Sequence, residues 1–326
     1  MNKKTRTFFR SALTLGIVGL LTLAASSQVK LRNALDYDGD GKADIGVWRQ
    51  SENIWYLLKS NGNQFAGVNF GVLHTDTLTP GDFDGDGVGD IAVWRYTDGT
   101  WYRLNSSNGT FVATRFGLQG DECVQRDYDG DGRTDAAIIR RAAGANGAIT
   151  WWILNSSNGS VSAYPFGVSS DDAAPGDFDG DGRFDIAVYR SGANPSSQSY
   201  FYYVRSIDNG FVAVPWGVGG DWVVPGDYDN DGKTDLAVAR RGNPGDQVTW
   251  FVRRSSDGAL YAKTFGDNET DTPVQNDYDG DGRTDIAMWR ESTATFYILK
   301  SGGAGETTFV PFGFSTDQPI AAYDVH

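Results

Sequence analysis

Cysteine, histidine, methionine and glutamate are all scarce in these 326 residues, with one, two, two and five copies respectively. A single thiol, Cys123, excludes any internal disulfide. It aligns with the apolar positions Ala173 and Val223 of neighbouring repeats, so an inert, packed thiol is expected. The two histidines, His74 and His326, lie far apart in the chain, and no serine stands in a nucleophile-elbow context. Hydrolysis through a Ser–His or Cys–His pair therefore has no candidates. Helical periodicity is absent after the first 26 residues. Positive charge is also short: 28 Lys and Arg against 42 Asp and Glu give a net charge of −14, a poor basis for binding nucleic acid or an anionic membrane.

The one long apolar run, Leu13 to Ala25, follows a basic start made by Lys3, Lys4, Arg6 and Arg10. It is shorter than the ~18–20 residues of a spanning helix and leads into Ala24-Ala25-Ser26-Ser27, the layout of a cleavable signal. Residues 1–26 are expected to be a signal peptide and 27–326 a single domain. The mature chain, at −18, is expected to be secreted, or held at the cell surface or in a periplasm, with no transmembrane span. It is expected to be a monomer that binds no nucleic acid.

What is abundant is aspartate, 37 of the 42 acidic residues, and a repeat explains it. The phrase Asp36-Tyr37-Asp38-Gly39-Asp40-Gly41-Lys42-Ala43-Asp44 returns at Asp82, Asp127, Asp177, Asp227 and Asp277, at intervals of 46, 45, 50, 50 and 50 residues. Each copy is followed by an apolar stretch ending in Arg, as in Val47-Trp48-Arg49. A second aromatic run follows (Trp55-Tyr56), then a Ser and a Gly-rich turn (Ser60, Ser106, Ser156, Ser206, Ser255, Ser301). A third run ends in an aromatic-Gly pair such as Phe70-Gly71, and a short fourth run leads to the next Asp phrase. These are β-branched and aromatic segments of four to eight residues, punctuated by Gly, Asn, Asp and Pro, which is strand chemistry.

Four strands per unit and six units predict an all-β fold: a β-propeller of six four-stranded antiparallel blades, with most aromatics buried between blades. Seven blades would need about three strands that the sequence lacks. Calling the strands A to D, the innermost strand A appears seven times. Its N-terminal copy (30–38) and C-terminal copy (Gln318 to Asp324) compete for one slot.

Each Asp phrase joins strand A to strand B and has the donors of a metal loop. The carboxylates at positions 1, 3, 5 and 9 are Asp36, Asp38, Asp40 and Asp44; Asp82, Asp84, Asp86 and Asp90; Asp127, Asp129, Asp131 and Asp135; Asp177, Asp179, Asp181 and Asp185; Asp227, Asp229, Asp231 and Asp235; and Asp277, Asp279, Asp281 and Asp285. The position-7 residues Lys42, Val88, Arg133, Arg183, Lys233 and Arg283 would each offer a carbonyl, their side chains turned away. Hard oxygens in a flexible loop suit calcium over zinc or copper, and calcium's 6–8 ligands over magnesium's strict octahedron. Four carboxylates in nine residues repel one another without a cation, so about six Ca2+ ions are expected, one per loop. A metal-free turn would need one or two of these aspartates, not four at fixed spacing.

The Asp-x-Asp-x-Asp-Gly-x-x-Asp phrase, the Phe-Gly pair and the Pro-Gly before the next loop (Pro80-Gly81, Pro175-Gly176, Pro225-Gly226) resemble FG-GAP/VCBS repeats, the blades of integrin α-subunit-like propellers and of many bacterial exported proteins. The resemblance covers nearly all of residues 30–324 and implies a calcium-binding propeller. Val124-Gln125-Arg126 and Val274-Gln275-Asn276 depart from it by lacking Pro-Gly, and six units are fewer than the integrin ring's seven.

The function this implies is a non-catalytic binding or adhesion module with an extracellular protein or carbohydrate ligand. A calcium-dependent lectin with sugar sites between blades is the alternative, and an enzyme acting on polysaccharide a lesser one. The face carrying the B–C and D–A loops varies most, with long B–C loops at 141–150, 191–200 and 241–249. Trp222 lies there as a candidate ligand contact, its equivalents being Glu122 and Asp172; packing on the rim is the competing reading. Asp76, Asp121, Asp171, Asp221, Asp271 and Asp317 recur before strand A, where a turn-forming role is expected over a binding ring.

Overall fold

A computed structural model describes residues 34–302 and 305–321. The expected signal segment, the first residues of the N-terminal strand A copy and His326 lie outside the described residues. Among the described residues no helix is long and apolar enough to cross a membrane.

The fold is a ring of six four-stranded antiparallel sheets. Blade 1 contains β1 (Ile45–Arg49), β2 (Ile54–Lys59) and β3 (Gln64–Asn69), and blade 2 contains β4 (Asp76–Leu78), β5 (Ile91–Arg95), β6 (Thr100–Leu104) and β7 (Phe111–Arg115). Blade 3 is built from β8 (Glu122–Cys123), β9 (Ala136–Arg141), β10 (Ala148–Leu154) and β11 (Val161–Val168). Blade 4 follows with β12 (Asp172–Ala173), β13 (Ile186–Arg190), β14 (Gln198–Val204) and β15 (Phe211–Val218). In blade 5 the strands are β16 (Trp222–Val223), β17 (Leu236–Arg240), β18 (Gln247–Arg253) and β19 (Leu260–Asp267). Blade 6 has β20 (Asp271–Pro273), β21 (Ile286–Arg290), β22 (Thr295–Leu299) and β23 (Thr307–Pro311). The competition for the innermost slot of blade 1 goes to the C-terminal copy. There β24 (Gln318–Pro319) pairs antiparallel with β1, placing Trp48 opposite Gln318.

Burial alternates along the middle strands, as in β10, because one blade face packs on each neighbour. The core is six clusters, one at each seam. Phe83, Trp94 and Trp101 of blade 2 meet Ala136 and Ile138 of blade 3. Ile45 and Val47 of blade 1 meet Trp289 and Phe296 of blade 6. The blade tryptophans Trp48, Trp55, Trp94, Trp151 and Trp250 are fully buried, so these aromatics are core and not a ligand box.

The aromatic-Gly pair has a physical task. Trp55, Trp101, Trp151 and Trp250 donate their indole N–H to the carbonyls of Phe70, Phe116, Phe166 and Phe265. The glycine that follows turns the chain at positive φ, +96° at Gly71 and +112° at Gly117, a region that L side chains rarely adopt.

Adjacent Asp loops are tied to one another. The position-8 N–H of each donates to the position-1 carbonyl of the loop before it: Gly89 to Asp36, Thr134 to Asp82, Phe184 to Asp127, Thr234 to Asp177 and Thr284 to Asp227, at 2.6–2.8 Å. Ala43 to Asp277, at 2.7 Å, closes the circle across the seam between blades 1 and 6. The side chain at position 8 fills a socket beside the residue preceding that earlier loop. A Cβ on Gly81 would lie 2.7 Å from Thr134, and one on Gly226 would lie 2.6 Å from Thr284. This explains the glycine of the Pro-Gly pair. It also explains one departure from it: Arg126 stands where glycine is expected, and position 8 of the next loop is Phe184, whose ring lies 5.7 Å from the guanidinium.

Gly226→Ala is expected to destabilise the domain by about 1–3 kcal/mol through overpacking. In a double-mutant cycle with Thr284→Gly, denaturant unfolding should give a coupling of about 0.5–3 kcal/mol between contacting sites. Additive effects would mean that the two residues do not share a socket.

Candidate metal loops and the Arg–Asp locks

Each Asp loop folds around its own aspartates. The position-1 carboxylate accepts N–H bonds from positions 4 and 6: in the first loop Gly39 and Gly41 donate to Asp36 at 2.6 and 2.8 Å, and Gly130 and Gly132 repeat this on Asp127. Position 4 also takes positive φ, and Asn230 fills it in the fifth loop at +61°. The position-9 carboxylate accepts from the N–H of position 2, as Tyr128 donates to Asp135 at 2.8 Å.

Its other oxygen faces the turn between strands C and D, where the recurring serine sits. Ser60, Ser106, Ser156, Ser206, Ser255 and Ser301 donate their N–H groups to Asp44, Asp90, Asp135, Asp185, Asp235 and Asp285 at 2.6–2.7 Å. Five of these serines also donate a hydroxyl to the position-5 aspartates Asp86, Asp131, Asp181, Asp231 and Asp281. The residue after each serine bonds the position-3 aspartate, as Asn61 does Asp38 and Gly302 does Asp279. The serine pattern was visible in sequence, but its role in holding the loop was not.

The structure thus brings the predicted carboxylates together. Six groups of such oxygens converge within 4.8 Å of one another, among them Asp36, Asp38 and Asp40; Asp82, Asp84 and Asp86; Asp127, Asp129 and Asp135; Asp177, Asp179 and Asp185; and Asp227, Asp229 and Asp235. These clusters could hold a metal ion. Asp38 Oδ1 and Asp229 Oδ1 are buried with no hydrogen-bond partner, an arrangement that costs free energy unless something else satisfies them. The position-7 side chains leave their own loop and lie on the preceding one, Arg133 against Gly85, Arg183 against Gly130, Lys233 against Gly180 and Lys42 against Gly280.

Burial sets the electrostatics of these loops. It lifts the position-9 carboxyls of Asp135, Asp185 and Asp235 to about 7 and those of Asp44, Asp90 and Asp285 to about 6, against the backbone N–H bonds that favour the charged form. At position 1, Asp127, Asp177 and Asp227 rise to about 6 for the same reason, with the carboxylates at positions 3 and 5 adding to the rise.

The aspartates before strand A have a different fate. Asp76, Asp121, Asp171, Asp221, Asp271 and Asp317 are gripped through both oxygens by Arg95, Arg140, Arg190, Arg240, Arg290 and Arg49, the arginines that end strand B, at 2.6–2.9 Å. Each also accepts a backbone N–H in its own turn, as Val168 donates to Asp171. Each guanidinium lies over an aromatic ring of strand C, at 4.2 Å for Arg290 over Tyr297. Turn formation and an ion-pair lock are therefore one feature. Trp222 packs half-buried against the core of blade 5, and the Arg241 guanidinium lies over its ring at 4.8 Å. Cys123 is half-buried in β8, and desolvation pushes its thiol well up.

Among protein families, the FG-GAP-like repeat matches residues 36–93 and 127–188. No match is found among curated proteins. Among solved structures, the acylaminoacyl peptidase of Pyrococcus horikoshii is similar at 11% identity and a TM-score of 0.47, over 83% of this chain and 44% of the peptidase, so the chain spans less than half of that protein's length. The β-propeller domain of the Trilobed protease from Pyrococcus furiosus is similar at 12% identity and a TM-score of 0.45, over 80% of this chain and 75% of that one. Regucalcin of Agrobacterium tumefaciens, described as a calcium-binding protein, is similar at 12% identity and a TM-score of 0.38, over 72% and 75%. With its two matched regions and its ring of six four-stranded blades, the chain is a β-propeller that carries FG-GAP-like repeats.

Proposed function

We propose that this chain is an exported, calcium-loaded propeller that works as a non-catalytic binding module. The observation that carries the reading is the convergence of three carboxylate oxygens within 4.8 Å of one another in loop after loop. The donors fit the ion. They are hard oxygens, the loops turn through positive-φ residues at positions 4 and 6, and Asp38 Oδ1 and Asp229 Oδ1 are buried with no other partner. The aspartates at positions 1, 3, 5 and 9 would hold Ca2+, with the position-7 carbonyl. The ion would supply positive charge that offsets carboxylate repulsion and pins the loop to its neighbours.

A binding role, not a catalytic one, is supported by how the reactive groups are engaged. The strand A aspartates are locked to arginines, and His74 is an exposed turn residue at positive φ. Export is inferred from the basic and apolar character of residues 1–26.

Equilibrium dialysis should find about six Ca2+ per chain, one for each Asp loop. A bound ion stabilises the folded state by about 2.7 kcal/mol per site at a hundred times its Kd, so calcium should raise the melting temperature markedly. Absence of uptake together with identical melting in EDTA would overturn the reading. The pair Asp229→Asn and Asp231→Asn should remove one ion and leave the other loops loaded.

Chelator-treated protein has a signed pH dependence. Carboxyls raised to about 6–7 contribute stability below their unfolded value of about 4 and lose it as pH rises through 6–7. The stripped protein should therefore melt lower at about pH 8 than at about pH 5, and calcium should erase most of that difference. Higher stability of the stripped protein at alkaline pH would contradict the burial account.

A further inference from the structure

Two grooves of similar size open at consecutive seams, on the side of the ring that carries the Asp loops. Between blades 2 and 3 lies one of about 200 Å³, with Trp101, Tyr102 and Arg103 on one wall and Arg133 and Asn155 on the other. Between blades 3 and 4 lies one of about 210 Å³, with Tyr164 and Phe166 facing Arg183 and Arg205. They are the same place in the repeat, since Arg133 and Arg183 are both position 7 of a loop, and Asn155 and Arg205 both precede the recurring serine.

The charge in these grooves is unusual for the chain. The strand-ending arginines are all clamped by carboxylates, and Arg205 is paired with Asp208 at 2.6 Å, whereas no ion pair among the described residues joins Arg103, Arg133 or Arg183 to one. Arg103 is half-buried, 5.4 Å over the Phe83 ring, and its side chain bonds only the Asn105 amide oxygen, at 3.1 Å. Burial lowers its pKa, and the charges of Asp90 and Asp84 offset part of that effect. A ligand that brought an anionic group to these guanidiniums would supply the planar acceptor they lack.

We propose that the two grooves bind an acidic saccharide, one carboxylate-bearing sugar unit in each. In the second groove the exposed ring of Tyr164 suits the apolar face of a sugar, and the amides of Asn155 and Asn209 suit its hydroxyls. The outermost strands β7 and β11 border the grooves, through Thr114 in the first and Tyr164 to Phe166 in the second, where Pro165 removes an N–H that an extended acidic peptide would need for a backbone ladder. Repetition one blade apart lets a polymer of alternating units occupy both, which raises its avidity. The proposal rests on the calcium reading for its regulation. Ser156 in the first groove bonds the loop carboxylates Asp135 and Asp131, and Ser206 in the second bonds Asp185 and Asp181, so a cation held by those loops fixes one wall of each groove for the ligand.

The test is calorimetric titration of the full chain with a hyaluronan hexasaccharide, against the uncharged chitohexaose, in millimolar calcium and after calcium removal. Hyaluronan is expected to bind and chitohexaose to bind at least about tenfold more weakly. Arg103→Gln and Arg183→Gln should each cost roughly tenfold in Kd, the scale of one hydrogen bond to a charged group. Arg115→Gln, on β7 outside both grooves, should leave Kd unchanged, and melting curves check that all variants fold. Equal binding of the two oligosaccharides, indifference to both groove substitutions, or binding of poly-glutamate without hyaluronan would overturn the proposal. Binding that is equally tight after calcium removal would overturn the coupling. A chain that takes up calcium and ignores hyaluronan refutes only the groove, whereas one that takes up no calcium refutes the earlier reading.

Discussion

The backbone hydrogen bond from one Asp loop to the carbonyl that opens its predecessor is the constraint on which the rest depends. Apolar seams between blades are strong but non-directional, so by themselves they do not dictate how far one sheet slides past the next. The bond from position 8 to position 1 does dictate it, and it occurs at every seam. At the junction of first and last blades, Ala43 and Asp277 make the same bond. Closure therefore does not rest on the two residues of β24 alone. The loops become one continuous belt around the ring.

The two populations of recurring aspartate show how geometry separates residues that look alike. Those before strand A have an arginine at the end of the adjacent strand, and a planar guanidinium matches a carboxylate through two bonds. Those in the loops accept backbone N–H and hydroxyl bonds, as Asp135 and Asp131 do from Ser156. One end of each blade neutralises its acidic charge internally, while the other gathers it. The chain's net charge of −14 is thus concentrated functionally where it could recruit a counterion.

Much of this was readable from the residues. The period, the strand count and the positions of strands B and C follow from apolar runs that are long enough to announce themselves, such as Ile45–Arg49 and Ile54–Lys59. The Asp loops were visible because their donors are contiguous. What stayed hidden is what the fold brings together from a distance. The serine hydroxyl that reaches Asp131 comes from 25 residues away, the arginine that clamps Asp171 from 19, and the socket beside Gly176 is filled from the next blade by Thr234. Strand A was the weakest signal. It is two or three residues long, and seven similar copies gave no ground for choosing which end of the chain completes the first blade. Pairing of β24 with β1 and burial of Ile320 decide it.

The sockets have a consequence for anyone who would treat the blades as interchangeable building blocks. Phe184 lies against Arg126, whereas Thr134 and Thr284 lie so close to Gly81 and Gly226 that neither glycine could carry a Cβ. A duplicated or transplanted unit must therefore arrive with a neighbour of matching shape. Change along such a ring proceeds in adjacent pairs, even though the text of the sequence is written in single units.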